Sequence, residues 1–401
     1  MVAAAHESSA THAPRYTDLS PPFPASEAAL ESIRAAADLA AQRRHLWGVF
    51  AGITRADASG ALPVFLTWYG AGEVFAAQRD ARSPEEPREL SRIFSRGPPH
   101  RVAEPSAAPP LMVFAHYNRP AYRHIRDDGL FLARHLGALA AATASVPAFP
   151  RDAVVIKTVW WPVPSEGNVG LPVWDPADNP ARAHGNSYLT WSRVVALSAQ
   201  RQGESTGRAV DVDFLGRHIV GARAVGADSF FHVVLEQTLA DEVMLDPAAR
   251  KLSFMLLGRP LRANDTLVLV ALHVATREIA DWIWGTFWWH DAPDRGRYAA
   301  QRPAALGGPW RHYLMDVAFD AEKPTETDGT PRITFNPWLE ARFEDSGHGS
   351  GLVSNCMACH RRASTKTDSP FVVTRGAELP VATAPGTVST SLLWSIPMQA
   401  R

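Results

Sequence analysis

Cysteine is almost absent from this 401-residue chain, which has two, at positions 356 and 359. That excludes the framework of several disulfides that staples small secreted domains. No run of 18 apolar residues suggests a membrane span. The richest apolar stretch, Thr266 to Ala275, has strand length and gives way to Thr276, Arg277 and Glu278. Surplus charge is missing too: Lys plus Arg number 40 and Asp plus Glu 41. A nucleic-acid binder usually carries a basic stripe, and here basic residues cluster only in pairs such as Arg43-Arg44 and Arg361-Arg362. The first two dozen residues have neither the basic segment nor the apolar run of an export signal. Glycines never fall in a nucleotide-binding fingerprint, and no serine-hydrolase elbow or His-Glu-x-x-His zinc pattern occurs.

What the chain does have is tryptophan, 13 residues, and proline, 32. Proline interrupts helix interiors and central strands, so many short elements joined by defined loops are expected. Ser26 is placed to cap a helix over Ala29 to Ala41, and a second helix is expected over Ala121 to Ala142. Residues 78 to 110, charged and proline-rich, read as an extended surface passage. Strands are expected at Val64 to Tyr69, Val154 to Val163, Tyr188 to Ser198, Ser229 to Gln237, Lys251 to Leu257, Thr266 to Thr276 and Trp282 to Trp289. The fold class is therefore α+β, a β-rich body with an N-terminal helical portion. The expected division is a flexible leader over 1–25, a mixed and mainly helical portion over 26–149, a β-rich body over 150–346, and a C-terminal segment over 347–401 packed on that body.

Both cysteines fall in one motif, Cys356-Met-Ala-Cys359-His360. Two thiols at this spacing can form thioethers along one edge of a porphyrin, and the adjacent imidazole can then reach the iron. A redox dithiol needs only the cysteine pair and stays open as a second reading. A structural zinc site normally has four ligands, and no second cysteine pair is present.

The pentapeptide resembles the haem-attachment motif of c-type cytochromes, and the resemblance extends little beyond it. It implies one covalently attached haem c held by Cys356 and Cys359, with His360 ligating the iron. Met398, the only methionine downstream, is the candidate second axial ligand. Haem attachment of this kind implies maturation outside the cytoplasm, so a periplasmic or secreted location is expected. The motif's position late in a long chain departs from small electron carriers, where it usually comes early.

Two function classes follow. One is a haem-dependent oxidoreductase acting on a small substrate or peroxide. The other is an electron-transfer protein that docks a redox partner. Four histidines are candidates for acid–base or ligand roles: His116, His232, His273 and His290. His290 and His232 are preferred as catalytic groups because each has a carboxylate nearby in sequence, Asp291 and Glu236 respectively. Lys157 and Arg193 are candidate anion contacts. If Asp281 to Asp291 is extended, Trp282, Trp284, Thr286, Trp288 and His290 share one face, either lining a ligand or packing as core.

Overall fold

The run from Thr266 to Thr276 forms an interior strand of an antiparallel sheet, and burial on both faces explains its nearly unbroken apolar character. In this computed structural model the described residues are 15–57, 59–60, 62–78, 89–97, 110–178, 187–199, 208–327, 329, 332–340, 355–365 and 386–401. Their strands in chain order are β1 (Tyr69–Gly70), β2 (Met112–Tyr117), β3 (Val154–Val163), β4 (Asn168–Pro172), β5 (Val194–Ser198), β6 (Ala209–Phe214), β7 (Arg217–Gly226), β8 (His232–Val234), β9 (Thr266–Thr276), β10 (Ile283–Trp289) and β11 (Tyr313–Ala318). A seven-stranded sheet has the order β1-β2-β3-β9-β10-β11, with β8 added beside one end of β9. A four-stranded sheet has the order β4-β5-β7-β6, with β5 and β7 parallel.

The expected α+β class is what the chain forms. β1 and β2 precede residue 150 yet belong to the same sheet as β3, so the helical portion and the body share one core. The helix Leu39–Thr54 covers one face of that sheet. Phe50 stacks on Phe287 with ring centroids 4.3 Å apart. Leu46 lies so close to Gly285 that a Cβ there would come within 2.5 Å of Leu46 Cδ1. Glycine is needed at 285 for the helix to sit down on the strand.

Several elements differ from the sequence-based expectation. The first helix is two, Glu27–Ala35 and Leu39–Thr54, because Ala37 turns to φ +52 and Asp38 starts again as a cap, accepting from the Ala41 N–H at 3.0 Å. Ser26 makes no side-chain capping bond. The second is also broken, into Arg119–Asp127 and Ala133–Ala142, at Gly129 with φ +65. Val64–Thr67 is a short 3-10 turn ahead of β1. Lys251 to Leu257 belongs to a helix, Pro247–Leu257. Asp246 caps it through the Ala248 and Ala249 N–H groups, and Gly258 ends it at φ +68. Those are ordinary start and stop signals that the β-rich reading passed over.

Residues 15 to 25 pack rather than trail. Tyr16 is buried, its hydroxyl accepts from the Arg119 N–H at 2.7 Å, and the Arg119 guanidinium covers its ring. Residues 1 to 14 lie outside the described residues, as does most of 78 to 110.

Candidate functional site

On the sheet face opposite the Leu39–Thr54 helix, pairing aligns Ala115, Lys157, His273, Thr286 and Asp316 in one row across five strands. Polar groups in the middle of a sheet must find partners there. The segment 332–340 supplies most of them. Asn336 Nδ2 donates to Thr286 Oγ1 at 2.7 Å, and Arg332 donates to Asp316 at 2.5 Å. Glu340 accepts from His273 Nε2 at 2.8 Å through one oxygen and from the Asn336 backbone N–H through the other. A carboxylate only accepts, so the His273 proton sits on Nε2. Asn336 also holds the turn itself, its Oδ1 accepting from the Trp338 and Leu339 N–H groups at 3.0 and 3.2 Å.

The motif forms a short helix, Cys356–His360, on this same face. Asn355 anchors it by donating to the Asp320 and Ala321 carbonyls, both at 2.9 Å, just beyond β11. Met357 is fully buried beneath it, while Cys356 and Cys359 are half-buried residues outside any disulfide. The Cys356 thiol lies 3.7 Å from the Thr334 carbonyl. The imidazole of His360 packs on Trp284, ring centroids 4.0 Å apart, and its Nδ1 lies 2.7 Å from the Leu392 carbonyl oxygen. A carbonyl cannot donate, so Nδ1 carries the proton and the Nε2 lone pair is left available.

The electrostatics of the three groups differ. Burial pushes the His360 pKa down to about 3, opposed by the Leu392 bond and reinforced by the neighbouring His273 and Lys157. Burial and the Glu340 carboxylate push the Cys359 thiol up to about 12. Cys356 is raised in the same way, by burial first and then by Glu340 and Asp316. A redox dithiol works as a thiolate stabilised by nearby positive charge. Here burial and the Glu340 charge oppose the thiolate at both sulfurs, and at Cys359 the charges of Arg362 and Lys157 favour it without outweighing them. Among the described residues no three His, Cys, Asp or Glu side chains are grouped to hold a metal ion.

Comparison with protein-family models, curated proteins and solved structures finds no match. The site must be read from its own atoms.

The residues present fit a haem c: two cysteines outside any disulfide at the right spacing and an imidazole oriented through Nδ1. Of the four candidate histidines, His273 is the one that acts on His360. The two preferred as catalytic groups lie elsewhere. His290 is buried in an ion cluster, where its Nδ1 accepts from the Ala292 N–H at 2.9 Å and its Nε2 faces Asp175 at 3.3 Å. His232 pairs opposite Val268, five residues along β9 from His273, which is about 16 Å of strand. Its Nδ1 is bound to its own neighbour, the Phe230 carbonyl, at 3.1 Å. His116 lies in the row of Ile156, Val274 and Gly285, on the far face of the sheet, 3.2 Å from Thr158 Oγ1.

Met398 is half-buried in the helix Ser395–Gln399. The groups of that C-terminal stretch that meet the motif are the Leu392 carbonyl, on the Nδ1 side of His360, and Trp394, beside Cys359. The chain then ends at Arg401, whose N–H donates to the Phe131 carbonyl at 2.8 Å. The tryptophan run divides between two tasks. Trp284 walls His360, whereas Trp288 packs with Trp174 and Tyr298 in the core. Trp282 precedes the strand at φ +61 and does not continue its alternation.

Sequence reasoning missed Glu340, Thr334 and the Leu392 carbonyl. Asn336-Pro337 was a legible helix-start pattern that could have drawn attention to the turn holding Glu340. The carbonyl had no sequence signal.

Proposed function

We propose that this protein is a c-type haem oxidoreductase acting on a small substrate or peroxide. The observation that carries the reading is the His360 imidazole, neutral and protonated on Nδ1 by its bond to Leu392, beside two cysteines outside any disulfide. Each thiol can add across a vinyl C=C, sulfur to one carbon and hydrogen to the other, so attachment consumes no oxidant. A haem bound there, held by Cys356, Cys359 and His360, would supply an iron centre able to exchange single electrons and to bind a small ligand.

The rest of the work falls to this chain's own residues. Trp284 and Leu392 fix the plane and tautomer of His360. His273 holds a proton on Nε2 shared with Glu340, so the pair can give or take it while Asn336 keeps the carboxylate in place. His273, rather than His290 or His232, is the acid–base group in this reading.

One observation favours electron transfer instead. The partner of His360 is a neutral carbonyl, not a carboxylate, which leaves the ligand a weakly donating imidazole. In that reading both axial positions are filled and the large body docks a redox partner protein. Among the described residues no helix is long and apolar enough to cross a membrane. Covalent haem attachment would place the protein in the periplasm or outside the cell.

The test is a pyridine haemochrome assay on protein matured with haem, followed by ferric and ferrous spectra with cyanide and CO. Covalent haem with high-spin iron that binds these ligands supports the enzyme. A low-spin spectrum indifferent to them supports the electron carrier. Absence of covalent haem refutes both.

A further inference from the structure

Asp316, on β11, is buried and serves two buried arginines. Arg332 donates to its Oδ1 at 2.5 Å, and Arg43 lies 3.6 Å from the same oxygen. A third arginine nearby, Arg297, is exposed, and Glu326 acts on it as well. In this cluster, among the described residues, two buried cations therefore share one buried carboxylate. A buried charge without a counterion is costly. The shortage registers at Arg43, where burial lowers the pKa to about 10, Asp316 opposing and Arg332 adding to the fall.

Four polar atoms of the same cluster make no hydrogen bond with any described residue: Arg332 Nη1, Asp316 Oδ2 and the indole Nε1 groups of Trp174 and Trp288. All four residues are buried. Tyr298 touches both halves of the set. The two indoles pack on its ring with centroids 5.8 and 5.0 Å away, and on each other at 5.7 Å. Asp316 and Arg332 both act on its phenol. Strand register puts Asp316 opposite Thr286, two residues before Trp288 and on the same face. Polar atoms buried this deeply are paired as a rule, so four in one cluster call for a common partner.

We propose that this cluster is the seat of a small oxyanion with one negative charge and one proton, of the hydrogencarbonate class. One such ion supplies the missing negative charge, accepts from the three N–H groups and donates its own proton to Asp316 Oδ2. A halide or nitrate matches the charge but has no proton for Asp316. Water matches the hydrogen bonds but not the charge. The proposal is independent of the haem reading, although the seat adjoins the motif, since the Asp316 charge acts on Cys356.

The experiment uses the full chain in mildly alkaline buffer with sodium hydrogencarbonate as the probe. Sodium nitrate and sodium chloride at equal ionic strength are the controls. An ion that binds the folded chain raises the thermal midpoint with its concentration. Wild type is expected to gain more from hydrogencarbonate than from either control, and so is Trp310→Phe, whose ring packs with Phe50 and Phe231 instead. Trp174→Phe and Trp288→Phe each keep a ring and remove one donor. Each is expected to weaken the affinity about tenfold, the worth of one hydrogen bond to a charged group. Titration calorimetry of wild type with hydrogencarbonate reads binding without any variant. Midpoints that respond equally to the three salts overturn the seat, as does calorimetric heat no greater than that of nitrate. A hydrogencarbonate response that survives both Trp→Phe changes overturns it too.

Discussion

The imidazole of His360 donates through Nδ1 to the main-chain carbonyl of Leu392 at 2.7 Å, across 32 residues of chain. This bond fixes the tautomer and orientation of the imidazole beside the cysteine pair. If the proposed haem is present, replacing His360 by Ala should leave it attached through its thioethers but change the iron's ligation. The haemochrome assay should stay positive while the ferric spectrum loses its wild-type form. An unchanged ferric spectrum would remove His360 from the iron.

The two thiols should act additively in attachment. Cys356→Ser and Cys359→Ser should each retain one thioether, moving the haemochrome maximum toward that of a haem with one vinyl group. The double variant should release its haem to acidified organic solvent. Release from either single variant would show that only the other cysteine forms a bond.

If the protein is an enzyme, His273→Gln and Glu340→Gln should lower turnover by about 10²–10⁴-fold, the usual share of a positioned acid–base group. The ferric spectrum should be preserved in both. His290→Gln should leave turnover near wild type, since that imidazole is tied to Asp175 and Ala292. A large loss at His290 with none at His273 would reverse the assignment.

Acid stability should depend on Asp265. Burial raises its pKa, but Arg259 and the N–H groups of Arg262 and Ser165 outweigh this and hold it below the usual carboxylate range. A depressed folded pKa gives stability that is present above the unfolded value, about 3.9, and is lost as pH falls through the folded one. Asp265→Ala should cost about 1–3 kcal/mol at neutral pH by leaving buried donors unpaired. Urea melts at falling pH should then show a shallower loss for the variant than for wild type.

Packing at the Leu46–Gly285 approach can be measured directly. Gly285→Ala should destabilise by about 1–3 kcal/mol through overpacking. Leu46→Ala alone should cost about 2–5 kcal/mol. In the double variant the added methyl should occupy part of the space that Leu46 vacates, so its loss should be smaller than the sum of the two single losses. Simple additivity in a double-mutant cycle would mean the helix shifts rather than clashes.

Local pattern was enough for some of this molecule. The β-branched runs at Val154–Val163 and Thr266–Thr276 are strands as their composition demanded, and the strand Ile283–Trp289 lies within the expected span. Pattern failed where a short apolar run is equally compatible with helix and strand, as at Lys251 to Leu257, and the flanking Asp246, Pro247 and Gly258 had to decide. It failed again at the 149/150 boundary, because nothing in the residues of β2 says that it pairs with β3 rather than ending a helical portion.

The sequence by itself determined the spacing of Cys356, Cys359 and His360, a covalent fact about the chain on which the haem proposal rests. It also determined the α+β character, which follows from where β-branched and helix-forming residues cluster. Only the tertiary structure decided which histidine stands by the motif. His273 is remote in sequence from His360, but strand register places it beside Lys157 and Thr286, and a turn over 336–340 brings Glu340 down onto it. His290 and His232 had carboxylates near them in sequence. Sequence proximity did not become proximity to the motif, because pairing across a sheet, not distance along the chain, sets which side chains meet.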